Sequence, residues 1–185
     1  DCCAAPGGKS FAAAIAMQNE GSVTSCDIHA HKVSLIEKGA ARLGVSIVHA
    51  RQADASQFEP EFESGFDVVI ADVPCSGLGV IRKKPDIRYK DLAPMQKLPQ
   101  VQAAILENVS RYVKPGGVLV YSTCTVLKRE NENVANAFLA RHPEFRLEVF
   151  ALPAGLDAQT DGMLTLYPHL HEADGFFICK LRKNV

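Results

Sequence analysis

Residues 1–10 read Asp-Cys-Cys-Ala-Ala-Pro-Gly-Gly-Lys-Ser, the chemistry of a tight turn that carries a strand into a helix. Gly7 and Gly8 allow the backbone to approach a ligand closely. The helix start after them offers free N–H groups and the positive end of a dipole. In open α/β sheets the turn after the first strand is where nucleotides bind. A plain tight turn would have the same composition, so this stretch alone leaves the ligand open. No strand precedes the turn and the chain has no initiator Met, so a fragment is expected, cut just before or inside its first strand.

Outward from the turn, short β-rich runs alternate with helical patterns. Residues 22–27, 46–52, 66–72 and 117–124 read as strands, and FDVVIAD at 66–72 is a continuous apolar run suited to a buried parallel sheet. Helices are expected at 9–19, 30–43, 95–113 and 129–141, the third stopped by Lys114-Pro115-Gly116-Gly117. This alternation predicts a doubly wound α/β sheet. The last two runs, 145–151 and 175–181, are joined by a loop-like link without a strong helix. Strands joined without a crossover helix pair antiparallel. A mostly parallel sheet with an antiparallel C-terminal strand is, by analogy of fold, that of Rossmann-like class I methyltransferases.

The 185 residues fit a single domain, and 47% hydrophobic content can build its core. With 20 Lys and Arg against 21 Asp and Glu, charge alone gives no hint of nucleic acid. The longest apolar runs, at 11–17 and 116–121, are too short to span a bilayer, and no signal peptide is visible. The six cysteines form no CxxC pair and no zinc-ligand spacing. They fit a reducing cytosol, where most serve as buried apolar filler.

Three carboxylates narrow the ligand. Asp27 ends the strand at 22–27, 18 residues after Lys9, the spacing of an acidic residue that accepts hydrogen bonds from a ribose. Asp54 follows the strand at 46–52 and Asp72 ends the strand at 66–72. Carboxylates at the carboxyl ends of successive parallel strands line one crevice. Each alone could be a helix cap or a loop residue. A P-loop ATPase is the rival reading of Gly-Gly-Lys-Ser, with Asp72 as the magnesium ligand. Against it, Cys3 stands where the first P-loop glycine belongs, and Pro6 lacks an N–H.

Asp72-Val73-Pro74-Cys75-Ser76-Gly77 and Tyr121-Ser122-Thr123-Cys124-Thr125 place a thiol at the carboxyl edge of neighbouring strands. Two thiols there suit one chemical demand. Carbon 5 of cytosine is a poor nucleophile until a thiolate adds to carbon 6 and makes it enamine-like. Asp72 could hydrogen-bond or protonate ring nitrogen 3. A second group is then useful when the carbon 5 proton and the enzyme thiol leave. Chemistry alone does not say which cysteine attacks.

CAAPGGK, DVPCSGLG and YSTCT resemble the signature motifs of the Sun family of RNA 5-methylcytosine methyltransferases, the branch that acts on small-subunit ribosomal RNA. The resemblance runs through KPDIRY (84–89) to DGFFICKL near the C-terminus. It implies Cys124 as nucleophile and Cys75 in product release, whereas DNA cytosine-5 methyltransferases use their Pro-Cys cysteine to attack. It implies S-adenosyl-L-methionine as cofactor, held by Cys3, Ala4, Ala5, Pro6, Gly7, Gly8 and Lys9. Asp27 would lie on the ribose, Asp54 near the adenine, and Asp72 between cofactor and base. RNA is the implied partner, with cytoplasmic localisation, a monomer, no membrane and no metal. An upstream RNA-binding region would be absent from the fragment. Arg82, Lys83, Lys84, Arg88 and Lys90 could grip phosphates or form a solvated face. Phe176 and Phe177 read as core, as do Cys2, Cys26 and Cys179, while His169 and His171 read as surface residues. A noncatalytic RNA-binding domain is the remaining rival.

Overall fold

The computed structural model describes residues 1–91, 93–153, 155–156 and 160–185. Helix α1 (Gly8–Ala16) leaves the glycine turn and is followed by β1 (Val23–Asp27), α2 (Ala30–Leu43), β2 (Val48–Gln52) and β3 (Phe66–Asp72). Helix α3 (Leu98–Ser110) leads into β4 (Val113–Thr123), and α4 (Glu132–Leu139) into β5 (Phe145–Leu147). The chain continues through β6 (Met163–Leu166), α5 (Pro168–His171) and β7 (Phe176–Lys183).

Strand β1 pairs parallel with β2, and β3 with β4. Strand β7 lies antiparallel between β4 and β5, as the missing crossover helix requires. Residues Asp1–Ala4 sit between the two parallel pairs. Cys26 N–H donates to the Asp1 carbonyl, Ala4 N–H to the Cys26 carbonyl, and Cys2 N–H to the Ile70 carbonyl. The first-strand position of the sheet is therefore filled by these residues, and the glycine turn follows them as expected.

Several boundaries differ from the sequence reading. Helix α1 stops at Ala16, because Gln18 and Asn19 adopt positive φ and the Asn19 side chain accepts from the Ser46 amide. Helix α3 ends at Ser110 rather than at 113: Tyr112 and Val113 are 4% and 0% exposed, and core burial outranks helix extension. Lys114–Gly117 does not stop a helix but forms an irregularity inside β4, where the register with β3 shifts. The helix expected at 129–141 is split, with a 3-10 turn at Lys128–Glu130 before α4. The strand expected at 145–151 ends at Leu147. The link after it is not all loop, for β6 pairs with β7 on its other stretch; residues 154 and 157–159 of that link lie outside the described residues.

The main core joins Val69, Ala71, Leu119 and Tyr121 of β3 and β4 to Ile105, Leu106 and Val109 of α3 and to Phe138 of α4. Alternate residues of β7 complete it, since Phe177, Cys179 and Leu181 are each 0% exposed. Each large apolar side chain so buried stabilises by about 1.5–3 kcal/mol relative to exposure. A smaller core gathers Phe11, Ala14, Ile36 and Ala40 with Val45 and Ile47. Gly7 belongs to this packing: its φ is +108°, and a Cβ there would lie 2.3 Å from the Phe11 ring. A Cβ on Gly8 would meet open space, so only Gly8 keeps a surface open to a ligand.

Candidate active site

Asp72 ends β3, and its register partner on β4 is Ser122. That pairing brings the Ser122 hydroxyl to Asp72 Oδ1 at 2.7 Å. Lys9 Nζ donates to Oδ2 at 2.6 Å and also lies 5.3 Å from the centre of the Phe176 ring. Both carboxylate oxygens are thus oriented, one by the sheet and one by α1. Phe176 departs from its expected core place: it is half-buried beside Lys9, while Phe177 fills the core. Strand alternation alone could have separated the two phenylalanines, because neighbours on a strand face opposite sides.

A cavity of about 430 Å³ is lined by Cys2, Cys3, Asp27 and Asp54 among others; the Asp72 charge acts on Cys3 at its lining. Asp27, 6% exposed, accepts the His29 amide on Oδ1 at 3.0 Å, with Lys32 Nζ 3.9 Å away. Asp54 Oδ1 accepts the Ser56 amide at 2.9 Å and its hydroxyl at 2.7 Å. For both carboxylates, Oδ2 has no hydrogen-bond donor among the described residues. Ile28, Pro74, Val101 and Ile105 form an apolar wall. Ile28 and Val101 are 50% and 43% exposed, so this wall presents apolar surface to the cavity. The sequence reading missed this wall, since nothing in its spacing links residue 28 to residue 101. Burial pushes the Cys3 thiol up strongly and the Cys2 thiol to about 11, so neither is a nucleophile. Cys2 is half-buried and not fully core; Cys26 and Cys179 are core as expected.

Of the segment from Cys3 to Lys9, Cys3 alone is among the residues lining this cavity. Ala4 is buried in the smaller core, Ala5 packs against it, Pro6 and Gly8 are exposed, and Lys9 turns to Asp72.

A second cavity of about 450 Å³ is lined by Cys75 and Cys124 together with Lys84, Asp86, Tyr89 and Lys90. The sulfurs lie 3.1 Å apart. The Cys75 thiol donating to it lowers Cys124 to about 7, against the opposing effects of burial and of Asp72. That same bond, together with burial, pushes Cys75 strongly upward. Either sulfur can be the donor in this contact, and the Cys75 sulfur also accepts the Cys124 amide at 3.3 Å, so the two thiols titrate as one pair.

Long-range bonds hold the two thiol loops together. The Ser76 hydroxyl meets the Thr125 hydroxyl at 2.8 Å. Gly79 N–H donates to the Cys124 carbonyl at 2.9 Å, and Gly175 N–H to the Gly79 carbonyl at 2.8 Å. No side chain fits at that crossing, for a Cβ on Gly79 would lie 2.0 Å from the Gly175 carbonyl oxygen. The basic stretch divides. Lys84 and Lys90 line the cavity, and Lys83 pairs with Asp174 at 2.5 Å. Arg88 lies 5.5 Å from the Tyr89 ring, which is 81% exposed. Tyr89 was not singled out from the sequence.

The sheet order, the antiparallel end and the strand-end carboxylate define a Rossmann-like fold of the class I S-adenosylmethionine-dependent methyltransferase type. The chain belongs to the 16S rRNA methyltransferase RsmB/F family, whose model matches residues 1–182. A Bacillus subtilis (strain 168) protein named "Probable ribosomal RNA small subunit methyltransferase B" is 47% identical over 100% of this chain and 42% of its own length. Ribosomal RNA small subunit methyltransferase F of Erwinia tasmaniensis is 34% identical over 99% of this chain and 39% of its own. The crystal structure of NSun6 from Pyrococcus horikoshii with SFG matches with a TM-score of 0.83 and 31% identity, covering 99% of this chain and 47% of that one. The chain thus spans about two fifths of the length of these curated relatives. Family membership assigns the Gly-Gly-Lys turn to a methyltransferase and removes the P-loop reading. No described helix is long and apolar enough to cross a membrane.

Proposed function

We propose that this chain carries the catalytic site of an S-adenosylmethionine-dependent ribosomal RNA methyltransferase that modifies carbon 5 of a cytosine through a covalent thiolate adduct. The observation that carries this reading is the thiol pair at 3.1 Å, with Cys124 lowered to about 7 beside a cavity large enough for a base. The first cavity suits the cofactor: Asp27 and Asp54 can accept from ribose and adenine groups, and the Ile28–Val101 wall can cover a ring. When bound, S-adenosylmethionine supplies an electrophilic methyl group. Gly8 and Lys9 open α1.

Cys124 adds as thiolate to carbon 6 of a single-stranded or flipped cytosine, and the electron pair moves to carbon 5. Asp72, held by Ser122 and Lys9, acts with its charge on Cys3 and on Cys124, and in this reading it steadies ring nitrogen 3 as charge develops there. Carbon 5 would take the methyl from the sulfonium, leaving a thioether; its proton would then pass to water, the C–H electron pair re-form the 5,6 double bond, the carbon 6–sulfur bond break, and Cys124 leave as thiolate. Cys75 assists this release. Lys84, Lys90 and Arg88 provide positive charge for phosphates beside the base, and Tyr89 offers a stacking face.

The test is incubation with RNA containing 5-fluorocytosine and S-adenosylmethionine, because fluorine cannot leave as a proton does. A covalent complex mapped to Cys124 is expected. RNA bound without any covalent complex would favour a noncatalytic RNA-binding domain.

A further inference from the structure

The two thiol loops converge on one short turn that the reaction above does not use. Glu130 and Asn131, consecutive in sequence, are each 0% exposed. Glu130 Oε2 accepts the Ser76 amide at 2.8 Å and Gln102 Nε2 at 3.1 Å. The same Gln102 amide donates to the Pro74 carbonyl at 3.0 Å. Cys75 is thus gripped through the residue on either side of it. Asn131 treats Cys124 in the same way: its Oδ1 accepts the Thr123 hydroxyl at 2.6 Å, and its Nδ2 donates to the Thr125 carbonyl at 3.0 Å. The turn itself is pinned to β4, because the Tyr121 hydroxyl donates to the Glu130 carbonyl at 2.5 Å.

Glu130 Oε2 and both polar atoms of the Asn131 amide have partners, whereas Glu130 Oε1 and Gln102 Oε1 are buried without one among the described residues; the partnered bonds fix what they touch. Four of the groups it holds, directly or through Gln102, are the immediate neighbours of Cys75 and Cys124: Pro74, Ser76, Thr123 and Thr125. We propose that Glu130 and Asn131 are positioning residues, forming one bracket that sets the separation of the Cys75 and Cys124 sulfurs. The inference rests on the two-thiol reading above. With either arm cut, the sulfurs drift apart and the Cys75 thiol no longer donates to Cys124. Asp72 at the end of β3 and Lys9 on α1, the charged groups that face Cys124, stay in place.

The experiment is alkylation of the protein by iodoacetamide across pH, with Cys124 read by mass spectrometry of its peptide. In the unaltered protein the rate should rise through a midpoint near 7. Glu130→Ala and Asn131→Ala should each raise that midpoint by about one pH unit, toward an ordinary cysteine, while S-adenosylmethionine affinity is kept. Glu130→Gln, which retains an acceptor for the Ser76 amide, should stay near the unaltered value. If the alanine variants do not fold, Thr123→Val decides, since it removes only the hydroxyl that Asn131 accepts and should shift the midpoint the same way. An unmoved midpoint in the folded variants overturns the bracket, as does loss of cofactor binding alongside the shift. Neither RNA nor turnover is required, so an absence of methyl transfer would sink the proposed function without touching this inference, and an unshifted thiol would do the reverse.

Discussion

The two cavities are nearly equal in volume, about 430 and 450 Å³, yet they are built by different means. In the first, Asp27 and Asp54 are oriented by amides only two residues further along. In the second, the bonds that join the two thiol loops include three between residues 49 to 54 apart in sequence, beside shorter-range bonds from Asn131. A local turn can place an acceptor for a ribose wherever a strand ends. A pair of thiols at hydrogen-bond distance needs two strands, a turn and a crossing of glycines to agree. The difference teaches that the cofactor side tolerates substitution one residue at a time, whereas the thiol side fails as a unit.

The largest test of this contrast is Cys124→Ala. Methyl transfer should fall below detection, while titration calorimetry still gives unaltered S-adenosylmethionine binding; retained turnover would move the nucleophile elsewhere. Cys75→Ala should slow release, so a covalent RNA adduct accumulates as a shifted band on a denaturing gel. Free turnover without adduct would take Cys75 out of that step. Gly79→Ala forces a methyl into the Gly175 carbonyl and should cost about 1–3 kcal/mol, read from the denaturant midpoint. A smaller cost would mean that the crossing is slack and the unit looser than described.

Asp54→Ala probes the other side. Loss of one hydrogen bond worth about 1–1.5 kcal/mol should weaken S-adenosylmethionine about tenfold and leave Cys124 alkylation unchanged. Altered thiol reactivity would break the separation between the cavities.

The smallest effect is expected at His142, away from both. Burial works against its charged ring, but hydrogen bonds with Glu107 and Glu144 outweigh it and raise its pKa. Its contribution is therefore complete below the unfolded value of about 6.5 and is lost as pH rises through the higher folded value. Removing it as His142→Ala should cost about 0.5 kcal/mol more at acid pH than at alkaline pH, measured as a difference of unfolding free energies. The loss of its stacking on Phe138 cancels in that difference, so equal costs would discard the ion-pair account.

Much of this was legible in the residues. Strand β3 and helix α2 have the bounds that their patterns predict, because 66–72 is a continuous apolar run and Gly44 in the left-handed conformation ends the helix where the apolar spacing does. Asp27, Asp54, Asp72, Cys75 and Cys124 were all placed at strand ends from sequence, since alternation fixes which end of a parallel strand they occupy. Less legible were Ser122, Phe176, Ile28 and Val101, whose roles depend on what lies across from them. Gly7 looked like a ligand contact and proved to be the seat of the Phe11 ring.

By itself, the sequence determined the alternation of elements, the crevice and the two thiols that face it, because periodicity and turn chemistry act over a few residues. Only the tertiary structure decided that the two thiols meet and share one hydrogen bond. That contact joins residues 49 apart and lies beside a buried turn at Glu130 and Asn131 that is bonded to both loops, and such distances are fixed by packing rather than by any local pattern.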